Sequence, residues 1–165
     1  MAIVASGAAS SDAGFDCSGA GRKVATMLIH KIQIAKRHIE AAADLFFGNG
    51  DPLAVVTLAG AAEEILGNII RRRGDEAMLD HLVSLDRRLT GGRDYSVVIK
   101  EVNGVRNALK HAKDPDDDEV EVPDGEAIAM LSRALVNYVL VGEQPTEGMH
   151  RIYTRLVSTH LDVAD

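Results

Sequence analysis

Apolar residues recur at three- and four-residue intervals along almost the whole chain, which is the signature of amphipathic helices. Leu28, Ile32, Ala35, Ile39, Ala42 and Phe46 form one stripe, so a first helix is expected from about Val24 to Phe47. The segment GNGDP then interrupts the pattern. Asp51 suits the cap of a second helix and Pro52 its first turn. That helix should run to about Arg73, with Arg71, Arg72 and Arg73 favoured by the dipole of its last turn and Gly74 as its stop. Gly60, Ala61 and Ala62 are small, so a neighbouring helix can approach closely there.

A shorter third helix is expected from about Asp75 to Leu89, with Met78, Leu79, Leu82, Val83 and Leu89 inward. A fourth, capped by Asp94, should reach about Lys113 with Val98, Val102, Val105 and Leu109 inward. A fifth, capped by Asp124, should end near Val141 and carries Ile128, Leu131, Leu135 and Tyr138. A last helix spans Thr146 to about His160, with Met149, Ile152, Tyr153, Leu156 and Val157 at helical spacing. No strand longer than the EVEV fragment suggests itself. The expectation is an all-α, up-and-down bundle of five to six helices.

Composition narrows this picture. Aromatics are 4% of 165 residues and Trp is absent, so the core must be aliphatic. Cys17 is the only cysteine, which excludes an intrachain disulfide and a cysteine metal cluster and fits a reducing, cytoplasmic setting. No apolar run near the roughly 18 residues of a membrane span stands out. Residues 1–21 are small and polar, without a basic start or an apolar centre. They read as a flexible tail before a single domain covering 22–165.

The formal net charge of −7 argues against tight, non-specific nucleic-acid binding, which needs excess cations at the phosphates. Any RNA contact must therefore be local or built at a dimer seam. The local cluster of interest is RNALKH, residues 106 to 111. On an ideal helix Asn107 and His111 share a face and Arg106 and Lys110 share the adjacent strip, while Arg106 and His111 lie roughly 140° apart. Two such helices at a dimer seam would surround one cleft. A histidine titrating near neutrality can take or give a proton at an RNA 2′-hydroxyl or leaving group. An arginine can hold the phosphate bidentately. The bland alternative is a solvated helix end whose cations suit the dipole.

The run R-N-A-L-K-H resembles the R-N-x-x-x-H signature of the HEPN superfamily, and all three signature positions are kept at Arg106, Asn107 and His111. Segments Leu58 to Gly67 and Asn103 to His111 strengthen the likeness, which would cover most of residues 27 to 160. The resemblance implies a HEPN-like bundle and a metal-independent endoribonuclease acting as a homodimer, with a toxin-like role and a nucleotidyltransferase antitoxin among the expected partners. It equally implies the alternative of a non-catalytic dimerisation or binding module. Neither reading calls for a cofactor, a metal or a membrane.

Two carboxylates qualify as supports. Glu63 and Glu64 are about 100° apart on a helix, so one faces inward easily, and an inward carboxylate needs a partner. Arg106 is the natural one, and Glu64 is the preferred carboxylate on sequence grounds. The acidic run Asp114, Asp116, Asp117, Asp118, Glu119 and Glu121 departs from a calcium loop because Glu119 stands where glycine is required. Its charge would repel RNA beside the motif. Glu147 and His150 have the E-x-x-H spacing of di-iron bundles but lack the second pair.

Overall fold

The structure, a computed structural model, describes residues 26–111 and 118–161, the last three as backbone only. Seven helices follow in order: α1 (Lys31–Phe47), α2 (Pro52–Arg72), α3 (Met78–Thr90), α4 (Tyr95–Val102), α5 (Gly104–Ala108), α6 (Glu126–Leu140) and α7 (Glu147–Leu161). No strand occurs among the described residues. The all-α bundle expected from the periodicity is therefore what forms, with one helix more than the upper count. The expected tail of residues 1–21, Val24 and the acidic residues Asp114, Asp116 and Asp117 lie outside the described residues.

The centre is a three-helix packing of α1, α2 and α6. Ala35, Ile39 and Ala42 of α1 meet Val55, Ala59, Ala62 and Leu66 of α2, all fully buried. Alanines at these positions let the two axes approach closely. Tyr138 of α6 is the largest fully buried side chain in this otherwise aliphatic core. Helix α7 packs on α1 and α6 through Met149 and Ile152, whereas α3 leans on α6, α5 leans on α2, and α4 packs between α3 and α5.

The ends of α2 follow the residues expected of them. Asp51 Oδ1 accepts from the Leu53 N–H at 2.8 Å, Pro52 opens the helix, and Gly74 leaves it at φ +90. By composition and length α2 is also the one described helix apolar enough to cross a membrane, against the sequence reading that found none. It is the core helix of the bundle, and it carries Glu63 and Glu64 halfway along, where a bilayer would penalise them.

Several boundaries differ from the sequence reading. Helix α1 begins at Lys31 because the His30 ring caps it, Nδ1 accepting from the Ile32 N–H at 3.3 Å. Leu28 therefore lies before the helix and is fully exposed. Leu89, Tyr153 and Val157 are exposed too, since helical spacing alone does not say whether a neighbour covers a stripe. Neither Asp94 nor Asp124 makes a side-chain cap; Gly125, not Asp124, stands at the cap of α6.

Helix α3 also starts late, at Met78 instead of Asp75. Its cap residue Ala77 has no polar side chain, and Asn137 of α6 supplies the acceptor, its Oδ1 taking the Met78 N–H at 2.8 Å. Arg93 then ties α3 to α4 by bonding both Asp86 and Glu101. That guanidinium holds the Asp86 carboxyl below the usual carboxylate range.

The expected fourth helix is broken in two at Asn103–Gly104, and this break positions the RNALKH segment. Asn103 sits at φ −108, ψ 6 and its side chain is buried. Arg133 of α6 reaches it: Nη1 donates to the Val102 carbonyl at 2.9 Å and Nη2 to Asn103 Oδ1 at 2.7 Å. One guanidinium so satisfies an end carbonyl of α4 and the side chain that replaces it.

Candidate functional site

Helix α5 delivers RNALKH to the flank of α2. The approach is close because residue 60 is glycine: a Cβ there would stand 2.7 Å from Arg106 Cδ and 2.8 Å from Cγ. The small residues of α2 thus admit an arginine stem where the sequence suggested a helix backbone.

Arg106 ends in a buried polar cluster. Its Nη1 donates to Glu63 Oε2 at 3.0 Å, and Arg133 Nη2 donates to Glu63 Oε1 at 3.1 Å. Glu63 is 3% exposed, so one buried carboxylate holds two guanidinium groups, one on each oxygen. Asn137 Nδ2 adds a bond to the Glu63 backbone carbonyl at 3.2 Å. The preference for Glu64 is overturned. Glu64 is 53% exposed, sits 3.9 Å from Arg106 Nη1 and bonds Lys110 Nζ at 3.5 Å. The 100° between adjacent residues places Glu63, not Glu64, on the inward strip.

The rest of the motif points elsewhere. Arg106 and Lys110 both reach α2, so the strip they share is the one laid on that helix. Asn107 Oδ1 accepts weakly from Arg106 Nη2 at 3.4 Å. After Ala108 the backbone tightens: Lys110 N–H bonds the Asn107 carbonyl and His111 N–H the Ala108 carbonyl, each three residues back. The tightening is confined to these two residues, since the Leu109 N–H still bonds the Val105 carbonyl four back, and it turns His111 away from the Asn107 face it would share on an ideal helix. His111 is exposed, and no described side chain bonds its ring.

What this cluster can do follows from its donors. A bidentate phosphate clamp needs two parallel N–H groups. Arg106 has Nη1 on Glu63 and a buried Nε with no partner, and its side chain is 12% exposed. Nη2 is left with the weak Asn107 Oδ1 contact at 3.4 Å.

Sequence reasoning missed Arg133, Asn103 and Asn137 as members of this cluster. A signal was present: Arg133 stands in AMLSRALVNYVL, where a charged residue among apolar ones must be paired. No group of three or more metal-ligating side chains gathers among the described residues. Comparison with protein-family models, curated proteins and solved structures finds no match to this chain.

Proposed function

We propose that this chain is a HEPN-like dimerisation and binding module in which RNALKH serves as an architectural pin. The observation that carries the reading is the commitment of Arg106 to the buried Glu63 that also holds Arg133. A guanidinium spent on a buried carboxylate is in poor position to clamp a phosphate, and a carboxylate shared by two arginines is a costly group kept only by full pairing. The net charge of −7, with Asp118, Glu119 and Glu121 following the motif, further disfavours a general RNA surface. The partner in this reading is a second copy of the chain, and the setting is cytoplasmic.

A second reading, a metal-independent endoribonuclease of toxin type, is favoured by one observation: His111 is exposed and unengaged beside Lys110 and Asn107. His111 would be general acid or base, Asn107 would orient, and Arg106 would offer Nη2 to the phosphate. A nucleotidyltransferase antitoxin partner belongs to this reading alone.

The test is incubation of the purified protein with mixed single-stranded RNA in EDTA, beside His111→Ala. The module reading expects intact RNA in both. Cleavage by the wild type that disappears in His111→Ala and leaves cyclic-phosphate ends would replace it with the second.

A further inference from the structure

Helix α6 has no exposed charged residue between Glu126 and Glu143. Arg133, its one interior charge, is buried on Glu63. Its solvent side is Ala129, Ser132, Val136, Val139 and Leu140, with the last three among the exposed large hydrophobics. Every other long helix shows charges to solvent: Arg37 and Asp44 on α1, Arg87 and Arg88 on α3, Arg151 on α7. A helix whose solvent side is apolar calls for cover on that side as well. Exposed Tyr153 and Val157 of α7 extend the same surface, and an apolar groove of about 400 Å³ runs between the two helices.

We propose that this α6 stripe is the two-fold seam between two copies of the chain, with Val136 near the axis. The proposal rests on the dimeric reading above and names the surface that serves it. Three observations choose a second copy as the occupant. First, the stripe is self-complementary. In an antiparallel pairing about Val136, residues four before and four after meet, so Leu140 of each copy covers Ser132 of the other, large on small. The Ser132 hydroxyl already donates to the Ile128 carbonyl, so covering it strands no donor. Second, two chains of net charge −7 repel, and they pack face to face most easily where carboxylates are absent, as on α6 between Glu126 and Glu143. Third, two 15-residue helices side by side present a face roughly 22 Å long and 20 Å wide. Its roughly 440 Å² is smaller than the roughly 800 Å² per partner of a standard interface, so the seam belongs to a small, concentration-dependent dimer.

The test is light scattering of the full chain at micromolar concentration, with Val136→Asp and, separately, Val136→Cys in a Cys17→Ser background. The seam predicts a wild-type dimer and a Val136→Asp monomer with an unchanged helical circular-dichroism spectrum. It also predicts an interchain disulfide in oxidised Val136→Cys that is absent from an Arg88→Cys control. A dimer that survives Val136→Asp and leaves Val136→Cys uncrosslinked overturns the seam while the dimeric reading stands. A wild-type monomer overturns both. Should Val136→Asp fail to fold, the cysteine result decides alone.

Discussion

Arg106 lies directly over Gly60, its Cδ 2.7 Å from where a Cβ on that glycine would be. The stem is no free chain end that can swing aside, because its guanidinium is fixed on Glu63. A methyl at position 60 must push the stem off that carboxylate or push α5 off α2. Alanine is worth about 1 kcal/mol over glycine in a helix interior, while overpacking costs about 1–3 kcal/mol. Gly60→Ala should therefore lower stability by about 1 kcal/mol in urea unfolding. In an Arg106→Ala background the stem is gone and the same change should raise it by about 0.5–1 kcal/mol. If the sign is the same in both backgrounds, the close approach is not what selects glycine.

That relationship shows how far the sequence could be read. The bundle was legible because periodicity reports which face of a helix is apolar. The caps of α2 were legible because Asp51, Pro52 and Gly74 act locally. The choice between Glu63 and Glu64 was not, since it depends on which strip of α2 meets α5, a matter of tertiary packing. The break at Asn103–Gly104 was hidden for the same reason: its cause, Arg133, lies 30 residues away in sequence. Tyr153 and Val157 stand at helical spacing yet are exposed, because a stripe records only that something can cover it.

Arg133 should be as important to the break as any residue of α4 or α5. Its guanidinium serves the Val102 carbonyl, Asn103 and Glu63 together. Arg133→Met leaves those acceptors without their donor and should cost about 3–5 kcal/mol, the range for removing one side of a buried ion pair. Arg133→Lys should recover little, because an ammonium lacks the planar fork. Faster amide exchange at Asn107 and Leu109 would report the loosened segment. Exchange unchanged from the wild type would mean that the break is set by Asn103 and Gly104 alone.

Alkaline pH offers an independent probe of the core. Burial pushes the Tyr138 phenol above its ordinary value near 10, and the charges of Glu143 and Glu40 add to this. The folded state thus favours the neutral phenol. Its contribution is complete below about pH 10 and is lost as pH rises toward the folded value. Wild-type stability should fall across that window, and Tyr138→Phe should flatten the fall. A phenolate absorbance titration showing all three tyrosines ionising near pH 10 would contradict the burial described here.

Acid should act at the tie between α3 and α4. Arg93 depresses the Asp86 carboxyl, so the α3–α4 tie is intact above about pH 4 and weakens as pH falls below it. Asp86→Asn should remove that acid-side dependence. An acid limb that persists unchanged in Asp86→Asn would assign it to other carboxylates.

The central claim is that Arg106 holds the fold through Glu63. A double-mutant cycle on Glu63→Gln and Arg106→Gln, read by urea unfolding, tests it most directly. The claim predicts a loss of about 3–5 kcal/mol for Glu63→Gln, and a coupling between the two positions of about 2 kcal/mol or more. Glu64→Gln, at an exposed pair, should cost no more than about 1 kcal/mol. Coupling near zero, with Arg106→Gln as stable as the wild type, would contradict the claim and return Arg106 to the ligand-binding role that RNALKH first suggested.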